Sequence, residues 1–158
     1  MPETPSVNPT ELNRLPGHAI RRLHQISVGI FHQELETLNL TPLQYGALLT
    51  VRDQPGTDQR SLARLIALDT STTAGVVDRL EARGLLERQH SPQDRRVRLL
   101  FLTRSGLELL AEAEPAVTRT QALILAPLNA AQQRTFMQLL QRLVDENNRF
   151  SRAPSDGH

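Results

Sequence analysis

Residues 68–106 read LDTSTTAGVVDRLEARGLLERQHSPQDRRVRLLFLTRSG, and the way this stretch divides decides the fold. Asp69 or Thr70 is placed to cap a helix, since a short side-chain oxygen there accepts from a free amide of the first turn. Thr73, Val77 and Leu80 recur at helical spacing, so an inward face runs toward Arg83, with Gly84 as a left-handed stop. Two apolar runs follow, Leu85 to His90 and Val97 to Leu102, around a polar break that contains Pro92 and Asp94. The second run alternates Val97, Leu99 and Phe101 against Arg98, Leu100 and Leu102, which is the period a strand requires. A helix and a hairpin are therefore expected side by side.

Toward the N-terminus, Leu62, Leu65 and Ile66 predict a small helix beginning after Thr57 or Asp58. Before it, TPLQ (residues 41–44) sets Thr41 at an N-cap, Pro42 in the first helical position and Gln44 where a capping box needs it. That helix carries Leu43, Ala47, Leu48 and Val51 and stops at the DQPG of residues 53–56. Helix, short helix, helix and hairpin describe a mainly α protein, a winged helix-turn-helix with a two-stranded wing.

Long helices flank this unit. Residues 12–40 read as one helix on the recurrence of Leu15, Leu23, Ile26, Ile30, Leu35 and Leu38. Thr103 can cap another, in which Pro115 predicts either a kink or two segments, and Pro127 ends it. Asn129 to Gln132 opens a last helix with Phe136, Leu139, Leu140, Leu143 and Val144 on one side. The division expected is a flexible tail (1–11), an N-terminal dimerisation helix (12–40), the winged helix-turn-helix (41–106), C-terminal dimerisation helices (107–150) and a disordered tail (151–158). The winged unit is too small to bury the apolar stripes of every flanking helix. They must pack together within one chain or between two, and a homodimer is the more economical arrangement.

Composition narrows the function classes. A chain of 158 residues, 39% hydrophobic and 22% charged, is most simply one globular domain. No apolar stretch approaches the ~20 residues of a membrane span, and the first residues lack the basic start and apolar core of a signal peptide. A cytoplasmic protein without a membrane partner is expected. Cysteine is absent, which excludes disulfides, thiolate zinc sites and thiol switches. With no glycine-rich phosphate loop and no evident acid–base pair, an enzyme is not expected. Every one of the 18 basic residues is Arg. Arg suits planar contact with phosphate and base edges, although a GC-rich genome produces the same bias and weighs more. From Thr57 to Gly106 nine Arg face six acids, a surplus of +3, whereas the remainder holds nine against eleven, or −2. The basic surplus lies on the winged unit. It is too modest to establish a nucleic-acid partner alone.

The phrase VDRLEARGL (77–85), the wing triplet Asp94-Arg95-Arg96, and Leu102-Thr103 with Gly106 resemble the MarR family of bacterial transcriptional regulators. LTPLQYGALL (40–49) is similar to that family's second helix, and the likeness extends over roughly residues 12–148. It implies a dimer formed by terminal helices that binds a pseudo-palindromic operator in double-stranded DNA, usually as a repressor released by a small molecule. Gly75 departs from the pattern, because the family often carries a larger residue there, frequently Arg. Gly costs a helix roughly 1 kcal/mol relative to Ala and removes a possible base contact, which puts base specificity in doubt.

In a winged helix-turn-helix the start of the recognition helix enters the major groove. The DNA-binding set on that helix is Ser71, Thr72, Thr73, Gly75 and Arg79, with Thr73 also on the inward spacing. Short hydroxyls there can meet base edges or thymine methyls, or serve simply as helix-start residues. Arg79 could instead pair with Asp78 or Glu81. On the wing, Arg96 is assigned to the minor groove, where narrow A·T-rich segments attract guanidinium groups. Asp94 would orient Arg96, and Arg95 would meet phosphate or hold the wing. Arg60, Arg64, Arg83, Arg88 and Arg98 are generic phosphate candidates.

For the effector, the resemblance places a pocket between dimerisation helices and winged unit. His18, Arg21, Arg22, His24 and Ser27 of the first helix, with Tyr45, would suit an aromatic acid whose carboxylate meets Arg or His. They read equally well as ordinary surface and interhelix residues. The first-helix phrase is also similar to regulators of nicotinate or related aromatic-acid breakdown, which makes hydroxynicotinate the first ligand to test. No cofactor is expected. His18, His24 and His32 lack the tight i, i+4 spacing of a metal pair, so a metal-responsive regulator is the weaker alternative. A winged-helix module for protein contact is another.

Overall fold

The computed structural model describes residues 11–153. Most of both expected tails, residues 1–10 and 154–158, lies outside the described residues.

The expected single helix over 12–40 is three pieces. A 3-10 turn at Glu11–Arg14 precedes α1, Pro16–Glu34. Leu15 between them is extended at φ −82 and ψ 122, as the steric clash with a following proline ring demands. At the other end Leu35 leaves the helix, a second 3-10 turn spans Glu36–Leu38, and Asn39 takes the left-handed region at φ 49, which Asn tolerates better than most side chains. Hydrophobic spacing survives such breaks, so periodicity alone runs the pieces together.

α2, Pro42–Asp53, starts on the expected capping box: Gln44 N–H donates to Thr41 Oγ1 and Thr41 N–H to Gln44 Oε1. Ala47, Leu48 and Val51 are fully buried, but Leu43 is 43% exposed and Gln44 takes the inward position instead. A two-residue strand β1, Thr57–Asp58, leads into α3, Gln59–Leu65, capped by Asp58. α4, Thr70–Ala82, is the recognition helix, capped by Asp69 and followed by Gly84 at φ 70. The wing is β2, Leu86–His90, paired antiparallel with β3, Arg98–Leu102, in a register from Leu86↔Leu102 to His90↔Arg98. β1 adds itself to the free side of β3, so the two-stranded wing gains a short third strand in the order β1-β3-β2.

α5, Arg104–Leu125, runs unbroken through Pro115, so the alternative of two segments is not what forms. Pro115 removes one donor to the carbonyl four residues back. Both Pro115 and Ala111 are exposed, which leaves that carbonyl to water. α6, Ala130–Asn147, opens on the Asn129–Gln132 capping box.

The core gathers Phe31 and Leu35 from the α1 region, Ala47, Leu48 and Val51 from α2, Leu62 from α3, Val76, Val77 and Leu80 from α4, Leu100 from the wing, and Leu110, Ala113 and Ala116 from α5. The winged unit thus rests against α1 and α5. α6 is different: it buries none of its residues, and Met137, Leu139, Leu143 and Val144 stand about half exposed. Leu15, Ile20, Leu23 and Ile26 of the N-terminal segment are likewise uncovered. Among the described residues, no helix is long and apolar enough to cross a membrane.

Candidate nucleic-acid interface

The start of α4 is fixed by one carboxylate. Asp69 Oδ1 accepts from the Thr72 amide and Oδ2 from the Thr72 hydroxyl, each at 2.7 Å. The Thr72 amide first, and its hydroxyl second, hold the Asp69 carboxyl below the usual carboxylate range. Ser71 and Thr72 are both exposed on this first turn. Thr72 therefore presents its methyl group more freely than its hydroxyl proton, which the cap occupies.

Thr73 corrects the expected set. Its side chain is fully buried and its hydroxyl donates to the Asp69 carbonyl at 2.8 Å. It packs the helix against the core and cannot reach a groove from there. At Gly75 nothing lies within 4 Å of the place a Cβ would occupy. The protein's own packing does not demand glycine at this point, so a bulkier side chain would project outward.

The arginines sort by what already holds them. Arg88 on β2 reaches across the unit: Nη1 donates to Glu81 Oε1 at 2.9 Å, and Nη2 donates to Asp78 Oδ1 and to Gln59 Oε1. Its backbone N–H donates to the other oxygen of Glu81 at 3.2 Å. Burial, the largest influence on its pKa, works against the charge, but the hydrogen bonds and charges of Asp78 and Glu81 more than offset it and raise the pKa. Arg83, past the last turn of α4, donates to the carbonyl oxygens of Asn39 at 2.6 Å and Leu38 at 3.1 Å. Both were generic phosphate candidates, and both are committed to the protein itself. Arg64 donates to Ser61 Oγ. By contrast Arg60, Arg79, Arg95 and Arg98 are exposed, with no ion pair to any described residue. Arg79 lies one residue from Asp78 and two from Glu81, spacings that do not face each other on a helix, and both acids are engaged by Arg88.

On the wing, the Arg96 amide donates to Asp94 Oδ1 at 3.0 Å while the Arg96 guanidinium stands 3.8 Å from the same oxygen, 93% exposed. The Val97 amide closes the turn onto the Asp94 carbonyl, and His90 Nδ1 donates to the Arg95 carbonyl at 2.9 Å. The turn is thus braced through its backbone, while the Arg95 guanidinium makes no ion pair with a described residue and that of Arg96 stays exposed beside Asp94. At the other end of the wing the Thr103 amide and hydroxyl donate to the Leu85 and Gly84 carbonyls.

The six expected effector residues do not form one cluster. His18 Nδ1 lies 3.2 Å from Arg21 Nη2, and Arg22 shares their side of α1. His24 follows Arg21 one turn on, ~60° round at ~100° per residue, whereas Ser27 falls about half a turn from His18, its hydroxyl donating to the His24 carbonyl at 2.8 Å. Tyr45 belongs to the core margin, its ring 6.2 Å from that of Phe31. Surface grooves lie instead along α6, lined by Met137, Gln141 and Arg142, and beside the end of α1, lined by His32, Glu36 and Asn39. Among the described residues no three His, Asp or Glu are grouped to hold a metal.

In the sequence Arg88 reads as one more phosphate candidate, as readily solvated as in contact. The signal available was weak: a lone Arg on an alternating strand two residues from buried Leu86, with two acids one turn apart on the preceding helix.

The profile of the MarR family matches residues 40–97. The transcriptional repressor NicR of Pseudomonas putida is 32% identical over 139 residues, 88% of this chain and 88% of NicR. BpsR of Bordetella bronchiseptica, whose DNA binding is regulated by 6-hydroxynicotinic acid, superposes with a TM-score of 0.81 at 33% identity, over 87% of this chain and 99% of that one. The repressor CouR, solved bound to a 23-mer DNA duplex, gives a TM-score of 0.81 at 29% identity, over 87% and 98%.

Proposed function

The chain belongs to the MarR family, and from that footing we propose that it is a homodimeric transcriptional repressor that binds a pseudo-palindromic operator and releases it on binding a small aromatic acid. One observation carries the reading: the exposed start of α4 and the braced wing tip with its two arginines belong to one unit, in which the wing is tied to α4 through Arg88. A helix of that kind enters the major groove while a neighbouring wing meets the adjacent minor groove.

Ser71, Thr72, Gly75 and Arg79 are the proposed major-groove residues, with Arg79 as the charged one. Arg96 is proposed for the minor groove, Asp94 for holding it, and Arg95 for phosphate. Thr73 supports α4 from behind. The uncovered stripes of the N-terminal segment and α6 favour a second copy as the partner that covers them. Two recognition helices then read half-sites ~34–36 Å apart along the duplex.

The effector class rests on the relatives. BpsR responds to 6-hydroxynicotinic acid, and NicR is similar over most of both chains, so that acid is the first ligand proposed here. In the proposed dimer, His18, Arg21, Arg22, His24 and Ser27 lie on a helix that meets the second copy, and Tyr45 lies on α2 beside Phe31 of that helix. A ligand acts only by binding one spacing of the recognition helices more tightly than the other.

Footprinting on DNA from upstream of the protein's own gene tests the DNA reading. Two protected half-sites, about ten base pairs between centres, with hypersensitivity between them, are expected. A single protected segment, or uniform protection that vanishes with competitor DNA, would overturn it.

A further inference from the structure

The clamp around Arg88 is a polar network that joins the wing, the recognition helix and α3. The Arg88 side chain is only 15% exposed, whereas those of its partners Asp78 and Glu81 stand 66% and 42% exposed. Glu81 grips β2 twice, through the guanidinium and through the Arg88 amide, and Gln59 ties the same group to the start of α3. A planar group with several donors can serve three acceptors on two helices at once; an ammonium cannot match that geometry.

Resting on the DNA-binding reading above, we propose that Arg88 is the positioning residue of the interface: it sets the angle of the recognition helix to the wing. Its effect lies in specificity rather than in attraction to phosphate. Without the clamp, the helix and the wing tip no longer enter two grooves in a fixed relation. General attraction to the duplex depends on exposed arginines and on salt, and Arg88 contributes to neither as a contact.

The experiment compares wild type with Arg88→Met and Arg88→Lys on an operator duplex and on a scrambled duplex, across a range of salt, well below each variant's thermal midpoint. The ratio of specific to non-specific affinity is expected to fall about tenfold in both, the size of one lost base contact, with an unchanged salt slope. A phosphate-contacting Arg would instead weaken both duplexes alike and lower the slope by about one, and that result overturns the proposal. If neither variant folds, the pair Asp78→Asn with Glu81→Gln tests the clamp from its exposed side. There the scrambled duplex should bind more tightly, since two negative charges are gone, while the ratio still falls; an undiminished ratio overturns the proposal. A wild type that shows no preference for the operator removes the DNA-binding reading and this inference with it, whereas a selective wild type with equally selective variants removes only the inference.

Discussion

Gly106 stands where the wing returns to α5, and a Cβ there would fall far inside the contact distance of the Leu85 carbonyl oxygen. The same carbonyl accepts from the Thr103 amide, so it cannot retreat without loosening the wing. Gly106→Ala is expected to cost about 1–3 kcal/mol as backbone is forced aside, read as a lower urea midpoint with an unchanged slope. Its requirement was visible only as a motif position, since nothing local in LTRSG announces a backbone approaching from residue 85. Asp69 gives a second prediction at this scale. Its folded-state pKa lies below the ordinary value, so its cap adds stability above the unfolded-state pKa and loses it as pH falls through the folded-state one. Asn caps without titrating. Between about pH 6 and pH 3, spanning the ordinary Asp range, the thermal midpoint of Asp69→Asn should fall less than that of wild type. Parallel curves would show that this cap is not coupled to acid unfolding.

Between elements, the contrast between Arg79 and Arg83 is the test. Both sit on α4 or just past it, and only their partners differ. Arg83→Ala removes two bonds to the Leu38 and Asn39 carbonyls and should lower stability by about 1–3 kcal/mol with little change in operator affinity per folded molecule. Arg79→Ala should do the reverse, weakening operator binding at least several-fold with a stability change within about 0.5 kcal/mol. Equal effects of the two on DNA would contradict the sorting of arginines by their internal partners. Here lies the limit of what could be read from the chain. Caps, the recognition helix and the wing were legible to within a residue, because Thr41, Asp69, Gly84 and Thr103 act through local geometry. Which arginine is held and which is free was not legible, because it depends on a strand and a helix coming within reach. β1 was missed because two residues carry no period, and the breaks at Leu15 and Asn39 were missed because hydrophobic spacing continues across them.

For the whole molecule, the uncovered stripes set the expectation. Leu139 and Leu143 lie four apart on α6 and are each more than half exposed. Leu139→Asp with Leu143→Asp places charges in the proposed dimer contact. Sedimentation is expected to give a monomer in which the winged unit keeps its helical signal, with operator affinity falling by at least the contribution of one half-site. A dimer that survives both charges would place the contact elsewhere. The effector residues were the least legible part. His18 and Arg21 meet on one side of α1 while Ser27 lies about half a turn round and Tyr45 sits on α2, and a site that needs a second copy, as proposed, would leave no mark in the spacing of one sequence. The most direct measurement is a fluorescence anisotropy titration of the protein against labelled duplex from upstream of its own gene, with and without 6-hydroxynicotinic acid. Tight, competitor-resistant binding that the acid weakens is the predicted result. Binding that competitor DNA abolishes, or operator binding indifferent to the acid and to related aromatic acids, would contradict a ligand-released repressor.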